Sequence, residues 1–271
     1  MIRLIALDLD GTLLGSDWRI GEADSAAVAA ALDRGVQIVI NTARWYGLAQ
    51  RTARHLELRA PLICHSGAHI KEPDDGPELL HLTIAPEPGR EVAAFCDERG
   101  FETYTTVAGV TSLRTSREAG IDPQRLPEGM RVAKTHAEHV TGPVTGFVII
   151  GEEPTRVVVE ALAERYAGVL SFSAGWSEAF PPSVTVTVAG ADKGRGLRLV
   201  CEHLGVPPEE AMAVGDTAQD VPMLEAAGLG VAMGNAPEDV KAKADAVAPS
   251  NAEGGVGWAI RRFVLEEGSS A

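Results

Sequence analysis

The sequence predicts an α/β protein in which a parallel-sheet core carries a second, inserted α+β domain. Short apolar runs alternate with helical patterns at both ends of the chain, which is typical of βαβ units around a parallel sheet. The middle of the chain, residues 84–184, is instead rich in strand-like segments with only two helical patterns. Proline-bearing joints, "APEPG" and "FPPS", bracket this middle part and indicate changes of chain direction.

The core elements follow from hydrophobic spacing. Apolar residues recur at helical spacing between 27 and 32, before Gly35, and between 197 and 204, before Gly205, so both stretches predict helices that stop at glycine. The last twenty residues predict a helix followed by a polar tail. The predicted core strands are "IRLIAL", "VQIVI", "PLIC", "AMAV" and "LGVAM".

The middle segment predicts an inserted domain. Helical patterns cover 87–99 and 153–166, and the strand-like pieces are "FETYTTV", "GFVIIG" and "SVTVTV". We therefore predict a discontinuous core domain of residues 1–83 and 185–271, with a second domain of residues 84–184 inserted into it.

Composition limits the class of partner. Of the 271 residues, 45% are apolar and 23% charged, as in ordinary globular proteins. The net charge of −14 argues against nucleic acid or an anionic membrane as the partner. We expect a monomer or homodimer. The N-terminal acids come too early for a signal peptide, and no apolar run reaches membrane-spanning length. Three widely spaced cysteines favour the reducing cytoplasm.

Three predicted strands end in polar residues, in "LIALDLDGT", "VQIVINTAR" and "AMAVGDTAQD". Ligands of open parallel sheets bind beyond the carboxyl ends of the strands, so these segments are expected to meet in one crevice. Four carboxylates there would repel one another unless a cation neutralised them, and an all-oxygen ligand set suits Mg²⁺. The residues that should converge are Asp8, Asp10, Thr42, Arg44, Asp216 and Asp220.

The two acids of the first segment suit phosphoryl transfer. In an extended segment Asp8 and Asp10 point the same way, with Leu9 turned elsewhere. A carboxylate beside Mg²⁺ can attack phosphorus to give an aspartyl-phosphate, and a second acid nearby can transfer protons. Gly11 allows the backbone to approach a phosphate, and Thr12 can anchor the turn. Taken alone, however, "DLDGT" is explained equally well as a strand that ends in an Asp-Gly turn.

Four motifs in order resemble those of the haloacid dehalogenase superfamily. "DLDGTLL" resembles the first, Thr42 in "VINTAR" the second, Lys193 in "GADKGRGL" the third and "GDTAQD" the fourth. Their order and the roughly 100-residue insert resemble the Cof-type subfamily (class IIB), mostly Mg²⁺-dependent phosphatases of sugar phosphates and related compounds. The resemblance implies a Rossmann-like core whose inserted cap closes over the crevice.

The resemblance also implies a role for each matching residue. Asp8 would be the nucleophile and a Mg²⁺ ligand. Asp10 would protonate the leaving oxygen, later activate water, and bind the metal through its backbone carbonyl. Asp216 would complete the protein ligands, and Asp220 would orient the metal's waters or Lys193.

The same resemblance implies how the phosphoryl group is held. Thr42 and Lys193 would contact it, and backbone N–H groups at Leu9 and around Ala43 would add donors. Three positions depart from the family pattern: Ala43 replaces a glycine, Ser66 replaces an asparagine, and Gln219 replaces an asparagine that contacts phosphate. These departures concern the geometry of the phosphate pocket rather than the class of reaction.

The function expected from the sequence is Mg²⁺-dependent hydrolysis of small phosphorylated metabolites, such as sugar phosphates or phosphoglycolate-like compounds. Two alternatives stay open: a phosphomutase that returns the phosphoryl group to a sugar, and a catalytically weak regulatory or binding protein.

Three further features have two interpretations each. Arg44 is either a surface charge at a helix start or a phosphate contact, and Trp45 either packs in the core or lines the crevice. Cys64, His65 and His69 lie close together, but their spacing fits no common zinc pattern, which favours core or crevice-rim positions.

Overall fold

The computed structural model describes residues 1–74, 76–115, 126–127, 129–177 and 180–266. A five-stranded sheet, parallel throughout, forms the core, with the strand order β14-β13-β12-β1-β2. Its strands are β1 (Leu4–Leu7), β2 (Gln37–Ile40), β12 (Ala211–Gly215), β13 (Leu229–Ala232) and β14 (Ala246–Val247). The predicted α/β class with a parallel-sheet core is confirmed.

The central strand β1 shows why this sheet is covered on both faces. Its side chains alternate, so Ile5 and Leu7 join one apolar cluster while Leu4 and Ala6 join another. All four are fully buried, as expected for a strand in the middle of a parallel sheet. The helices of the core are α1 (Glu22–Asp33), α2 (Tyr46–His55), α5 (Lys193–Leu204), α6 (Val221–Ala226), α7 (Glu238–Lys241) and α8 (Gly255–Ile260).

The segment "PLIC" forms a strand, but in a separate small sheet. β3 (Leu62–Cys64) pairs in antiparallel fashion with β4 (His69–Lys71), which pairs with β5 (Glu78–His81). A single parallel bridge between Asn41 and Ile63 continues the order of the core sheet beyond β2. β3 therefore links the core to a short hairpin that leads into the insert.

The insert is built on a six-stranded sheet. Its strands are β6 (Thr103–Val107), β7 (Val110–Arg114), β8 (Met130–Val132), β9 (Val144–Ile150), β10 (Leu170–Ser177) and β11 (Phe180–Val188). Their order is β10-β11-β9-β6-β7-β8, and all pairs are antiparallel except β7 with β8. Two helices, α3 (Pro86–Arg99) and α4 (Glu152–Leu162), match the two predicted helical patterns, and their apolar residues share one cluster with Phe147 and Ile149.

The predicted boundary at residue 184 lies within a strand. The sequence predicts that the core domain resumes at residue 185, and β11 runs through Phe180–Val188 as one strand of the six-stranded sheet. The prolines of "FPPS" predict a change of chain direction, whereas Pro181 and Pro182 lie at the beginning of the strand, where a missing backbone donor is tolerated. The inserted sheet therefore continues to Val188.

The described part of the chain ends in helical structure. α8 is followed by a π-helical turn, Arg261–Leu265, and the predicted polar tail lies outside the described residues. Among the described residues, no helix combines the length and the apolar character needed to cross a bilayer.

A short 3₁₀ turn, His65–Gly67, lies where the core meets the insert. His65, Ser66 and Gly67 all have positive φ angles of 47°, 50° and 94°. A Cβ at Gly67 would lie 2.2 Å from the carbonyl oxygen of Asp192, so the turn and the start of α5 can approach this closely only with glycine there. On the other side, a Cβ at Gly146 of β9 would lie 3.0 Å from Nδ1 of His65.

This packing leaves His65 buried, with no hydrogen-bond partner for either ring nitrogen among the described residues. The pKa of His65 is lowered from 6.5 to about 3, mainly by burial, and the nearby His69 and His81 contribute in the same direction. The folded protein thus keeps His65 neutral at pH values where an unfolded chain would protonate it.

We expect His65 to make the protein less stable in mild acid. A folded-state pKa below the unfolded value removes stability as the pH falls, here by about 2 kcal/mol between about pH 6.5 and pH 4.5. Urea unfolding of His65→Asn, which tolerates a positive φ, should show a slope against pH that is reduced by this amount. His55→Asn, at the exposed end of α2, should keep the wild-type slope, and equal slopes for all three proteins would contradict the assignment.

Candidate active site

A buried lysine lies between two buried aspartates at the carboxyl end of the core sheet. The ammonium group of Lys193 donates to Oδ1 of Asp8 at 2.6 Å and to Oδ1 of Asp220 at 2.5 Å. All three side chains are almost completely inaccessible to solvent. Asp8 directly follows β1 and Lys193 begins α5, so residues 185 positions apart in the chain form one ion cluster.

Close helix packing holds Lys193 in this position. A Cβ at Gly194 would lie 2.2 Å from the carbonyl oxygen of Pro222 in α6, so only glycine permits this approach. Asp192 caps α5 by accepting a hydrogen bond from the backbone of Arg195 at 2.7 Å. The sequence "ADKGRG" thus supplies the cap, the lysine and the glycine that together bring α5 to the site.

Asp220 is fully engaged by hydrogen bonds. Its Oδ2 accepts from the backbone N–H groups of Asp216 and Thr217, at 3.1 Å and 2.9 Å, and from the Thr217 hydroxyl at 3.0 Å. Its other oxygen accepts from Lys193. This carboxylate therefore shapes the loop after β12 and positions Lys193, which agrees with the orienting role that the resemblance implies.

Asp216 lies beside Asp8 in the same cluster. It accepts from the Thr12 hydroxyl and from Nδ2 of Asn235, each at 3.2 Å. Nδ2 of Asn235 also donates to the carbonyl oxygen of Gly11 at 2.9 Å, so this amide ties the loops after β1 and β12 together.

The cluster carries an excess of negative charge. The pKa of Asp8 is raised to about 7, mainly by burial; Lys193 opposes this shift, while the charges of Asp220 and Asp10 add to it. For Lys193, burial disfavours the charged form, but Asp220 and Asp8 outweigh it and hold the pKa above its usual value. The cluster thus combines three buried carboxylates with one ammonium group, which contacts Asp8 and Asp220.

This arrangement fits a divalent cation. Carboxylate oxygens of Asp8, Asp216 and Asp220 lie within 4.8 Å of one another, and the set contains only oxygen donors. Because Asp220 is committed to four hydrogen bonds, Asp8 and Asp216 are the carboxylates suited to hold the ion.

Asp10 lies near the cluster but makes a different contact. Its carboxylate forms a two-pronged pair with the guanidinium of Arg44, in which Nε donates to Oδ2 at 2.8 Å and Nη2 donates to Oδ1. The Arg44 guanidinium also lies 4.9 Å from the ring centre of Trp18. Arg44 thus pairs with Asp10 and lines a cleft between the core and the insert, and its predicted phosphate contact stays a prediction.

The residues that were predicted to contact phosphate differ in how deeply they are buried. Ala43 lines the cleft, whereas Thr42 is fully buried and its Oγ1 accepts from the backbone N–H of Arg44 at 3.2 Å. The Leu9 side chain is buried in the core cluster, as its alternation with Asp8 and Asp10 predicts.

Ser66 and Gln219, two of the three positions that depart from the family pattern, contact each other. The hydroxyl of Ser66 donates to Oε1 of Gln219 at 3.0 Å, and Nε2 of Gln219 donates to the carbonyl oxygen of Ser173 on β10 at 2.9 Å. A Cβ at Gly175 would lie 2.6 Å from this Nε2, so a larger residue there would displace the Gln219 amide. Gln219 thus connects the core directly to the inserted sheet.

The cluster opens into a cleft of about 180 Å³ between the core and the inserted sheet. Asp8, Asp10 and Lys193 line one end of it. Trp45 also lines this cleft while stacking on Tyr104 of β6, with ring centres 5.3 Å apart, so both interpretations of Trp45 hold. His65 and His69 are buried outside the cleft lining, as the preference for core or rim positions predicts.

Two groups of site residues were missed from the sequence. Asn235 was detectable, because it follows the predicted strand "LGVAM" and so lies at the same sheet edge as the aspartates. The cleft residues Tyr104 and Trp176 belong to the insert, and no motif indicated which insert side chains face the core.

We expect the ion cluster to depend on Lys193. Lys193→Met leaves buried carboxylates without their cation, which should lower the free energy of unfolding by about 3–5 kcal/mol in the presence of a chelator. Lys243→Met removes a half-exposed lysine and should change it by less than about 0.5 kcal/mol in the same urea titration. A loss below about 1 kcal/mol for Lys193→Met would contradict this role.

Comparison with known proteins agrees with these motifs. The chain matches the haloacid dehalogenase-like hydrolase family over residues 5–260. It is 32% identical to the 5-amino-6-(5-phospho-D-ribitylamino)uracil phosphatase YcsE of Bacillus subtilis, over 97% of this chain and 96% of that protein. The structure of a haloacid dehalogenase-like hydrolase from B. subtilis matches with a TM-score of 0.80 and 25% identity, over 97% of this chain and 100% of that one.

A second solved structure is that of a subclass IIB sugar phosphatase. It matches with a TM-score of 0.78 and 26% identity, over 96% of this chain and 98% of that one. The family model thus covers most of the chain, and the Cof-type assignment made from the four motifs is confirmed. The chain belongs to the haloacid dehalogenase-like hydrolases.

Proposed function

We propose that this protein is a Mg²⁺-dependent phosphatase that hydrolyses small phosphorylated metabolites through a phosphoryl group carried on Asp8. The observation that carries the proposal is the buried Asp8 carboxylate at the end of the cleft, held at 2.6 Å by Lys193 and grouped with Asp216. A carboxylate that is held in one position loses less freedom of motion when it attacks phosphorus than a mobile surface acid does, which favours Asp8 as the nucleophile.

The proposed reaction has two displacements. In the first, an oxygen of Asp8 bonds to phosphorus, the bond from phosphorus to the leaving oxygen breaks, and Asp10 gives that oxygen its proton. In the second, Asp10 takes a proton from water, the water oxygen bonds to phosphorus, and the bond to Asp8 breaks. Free phosphate and the Asp8 carboxylate result, so atoms and charge balance.

Several neighbours support this chemistry. Lys193 places a positive charge where the phosphoryl oxygens would lie. Arg44 orients the Asp10 carboxylate for the second displacement, in which Asp10 is the base, and in the first displacement the protonated Asp10 has to leave one of its two contacts with Arg44. Mg²⁺, when held by Asp8 and Asp216, supplies further positive charge that offsets the charge of the transferring group. We assign phosphate contacts to the Thr42 hydroxyl, to backbone donors at Leu9 and Ala43, and to Gln219 at the rim of the cleft.

The relatives support hydrolysis of phosphate esters. YcsE is named a phosphatase of a phosphoribitylamino-uracil, and the subclass IIB structure is that of a sugar phosphatase. We extend this activity to the present chain because it has the Asp8, Lys193 and Asp216 cluster in the fold that it shares with them. We also propose a cytoplasmic location, which the three free cysteines support.

The decisive test is phosphate release with and without Mg²⁺. We expect wild-type protein to release phosphate from a panel of sugar and other metabolite monophosphates only with Mg²⁺, and Asp8→Asn to lower kcat/KM at least about 1,000-fold. Asp33→Asn, an exposed acid at the end of α1, should keep wild-type rates. Acid quenching during turnover should trap a phosphoryl group on the peptide that contains Asp8.

Other outcomes separate the alternatives. Isomerised sugar phosphate without free phosphate would indicate a phosphomutase. Folded wild-type protein that binds Mg²⁺ but turns over no member of the panel would contradict the proposal and favour a binding protein. Unchanged hydrolysis by Asp8→Asn would contradict the role of Asp8.

A further inference from the structure

Four aromatic side chains surround the cleft in front of Asp8, and we call them the aromatic walls. Trp18 and Trp45 come from the loops after β1 and β2 of the core, and Tyr104 and Trp176 come from β6 and β10 of the insert. Trp45 and Tyr104 stack with an interplanar angle of 23°. The walls thus join both parts of the molecule around one space.

The inserted sheet offers this space an apolar face. Along β9, Phe147 and Ile149 pack under the insert's helices, while the alternate residues Val148 and Ile150 line the cleft. On the core side, Leu48 adds a further apolar contact. Val148 and Ile150 thus add an apolar face on the cleft side of the insert's central strand, and no helix among the described residues of the insert packs on that face.

Polar groups are scarce on this side of the cleft. Of the described insert residues that line it, Tyr104 and Ser183 alone carry a polar side-chain group other than the indole of Trp176, and none is charged. The charged lining residues, Asp8, Asp10, Arg44 and Lys193, all come from the core. Recognition of a polyol needs several hydrogen-bond partners for its hydroxyl groups, which these walls do not provide.

The outer aromatic side chains are unusually exposed. Trp18 is 59% exposed and Trp176 is 51% exposed, although both line a cleft where an apolar surface is available. Exposed indole rings at the mouth of a cleft mark a surface that a ligand can cover.

We propose that the substrate's leaving group is an uncharged planar aromatic or heteroaromatic ring, which stacks between the aromatic walls while its phosphate reaches Asp8. This inference rests on the proposed phosphatase function and names its substrate class. The cleft of about 180 Å³ is smaller than the roughly 300–1,000 Å³ of sites for drug-sized ligands, so the ring is compact.

The test compares substrates that differ in the ring alone. Benzyl phosphate and cyclohexylmethyl phosphate are both esters of a primary alcohol on a six-membered carbon ring, but only the first ring is planar and aromatic. We expect kcat/KM to favour benzyl phosphate about three- to tenfold, the range that aromatic stacking supplies beyond burial of area. Glucose 6-phosphate should react more slowly than either, because its hydroxyl groups lose water without finding partners.

Variants show whether the walls cause the preference. Trp176→Leu and Trp18→Leu should each bring the benzyl-to-cyclohexylmethyl ratio of kcat/KM toward one, and Trp176→Tyr should retain most of it. The matched control is Trp258→Leu, because Trp258 packs against Phe263 outside the cleft, and this variant should keep the wild-type ratio.

The two proposals fail in different ways. If folded protein with Mg²⁺ hydrolyses none of the three esters or the wider panel, the phosphatase function itself is wrong. If it hydrolyses them with a ratio at or below one, or if both leucine variants keep the wild-type ratio, the aromatic substrate class is wrong and the phosphatase function stands.

Discussion

The ion cluster of Lys193 with Asp8 and Asp220 is the interaction on which the rest of the structure depends. Removing these charges from water costs several kcal/mol for each ion unless partners and hydrogen bonds compensate. Lys193 supplies one partner for two carboxylates, and the loop after β12 supplies three hydrogen bonds to Asp220. The core sheet, the N-terminus of α5 and the loop after β12 must therefore all be in place together.

Glycines make this convergence geometrically possible. Gly194 lets α5 approach α6, and Gly67 lets the 3₁₀ turn approach the residue that caps α5. Without these approaches the lysine would not reach both carboxylates. The close packing that the buried ion cluster requires is therefore possible because these positions are glycine.

Much of the core and its site could be predicted from the sequence. The spacing of apolar residues predicts the alternation of strands and helices. Because the carboxyl ends of parallel strands meet at one edge of the sheet, it also predicts that Asp8, Asp10 and Asp216 lie close together. The same rule applies to Asn235, which follows β13 and lies at the same sheet edge, where it donates to Asp216.

The insert could be predicted in type but not in detail. Its strands and helices follow from local pattern, whereas strand order and the facing of Tyr104 and Trp176 depend on tertiary packing that a single sequence does not encode locally. The predicted boundary at 184 falls inside β11 for a related reason, since prolines usually indicate a turn but here begin a strand. The pair of Arg44 with Asp10 likewise depends on two loops that are distant in sequence.

Gln219 has a mechanical consequence. Its amide accepts from Ser66 in the core and donates to Ser173 in the insert, so one side chain bridges the two parts of the molecule. Any separation of the two parts must break the bond to Ser173, and any return must form it again. The side chain that is longer than the family's asparagine by one methylene group therefore adds a polar contact between the core and the inserted sheet.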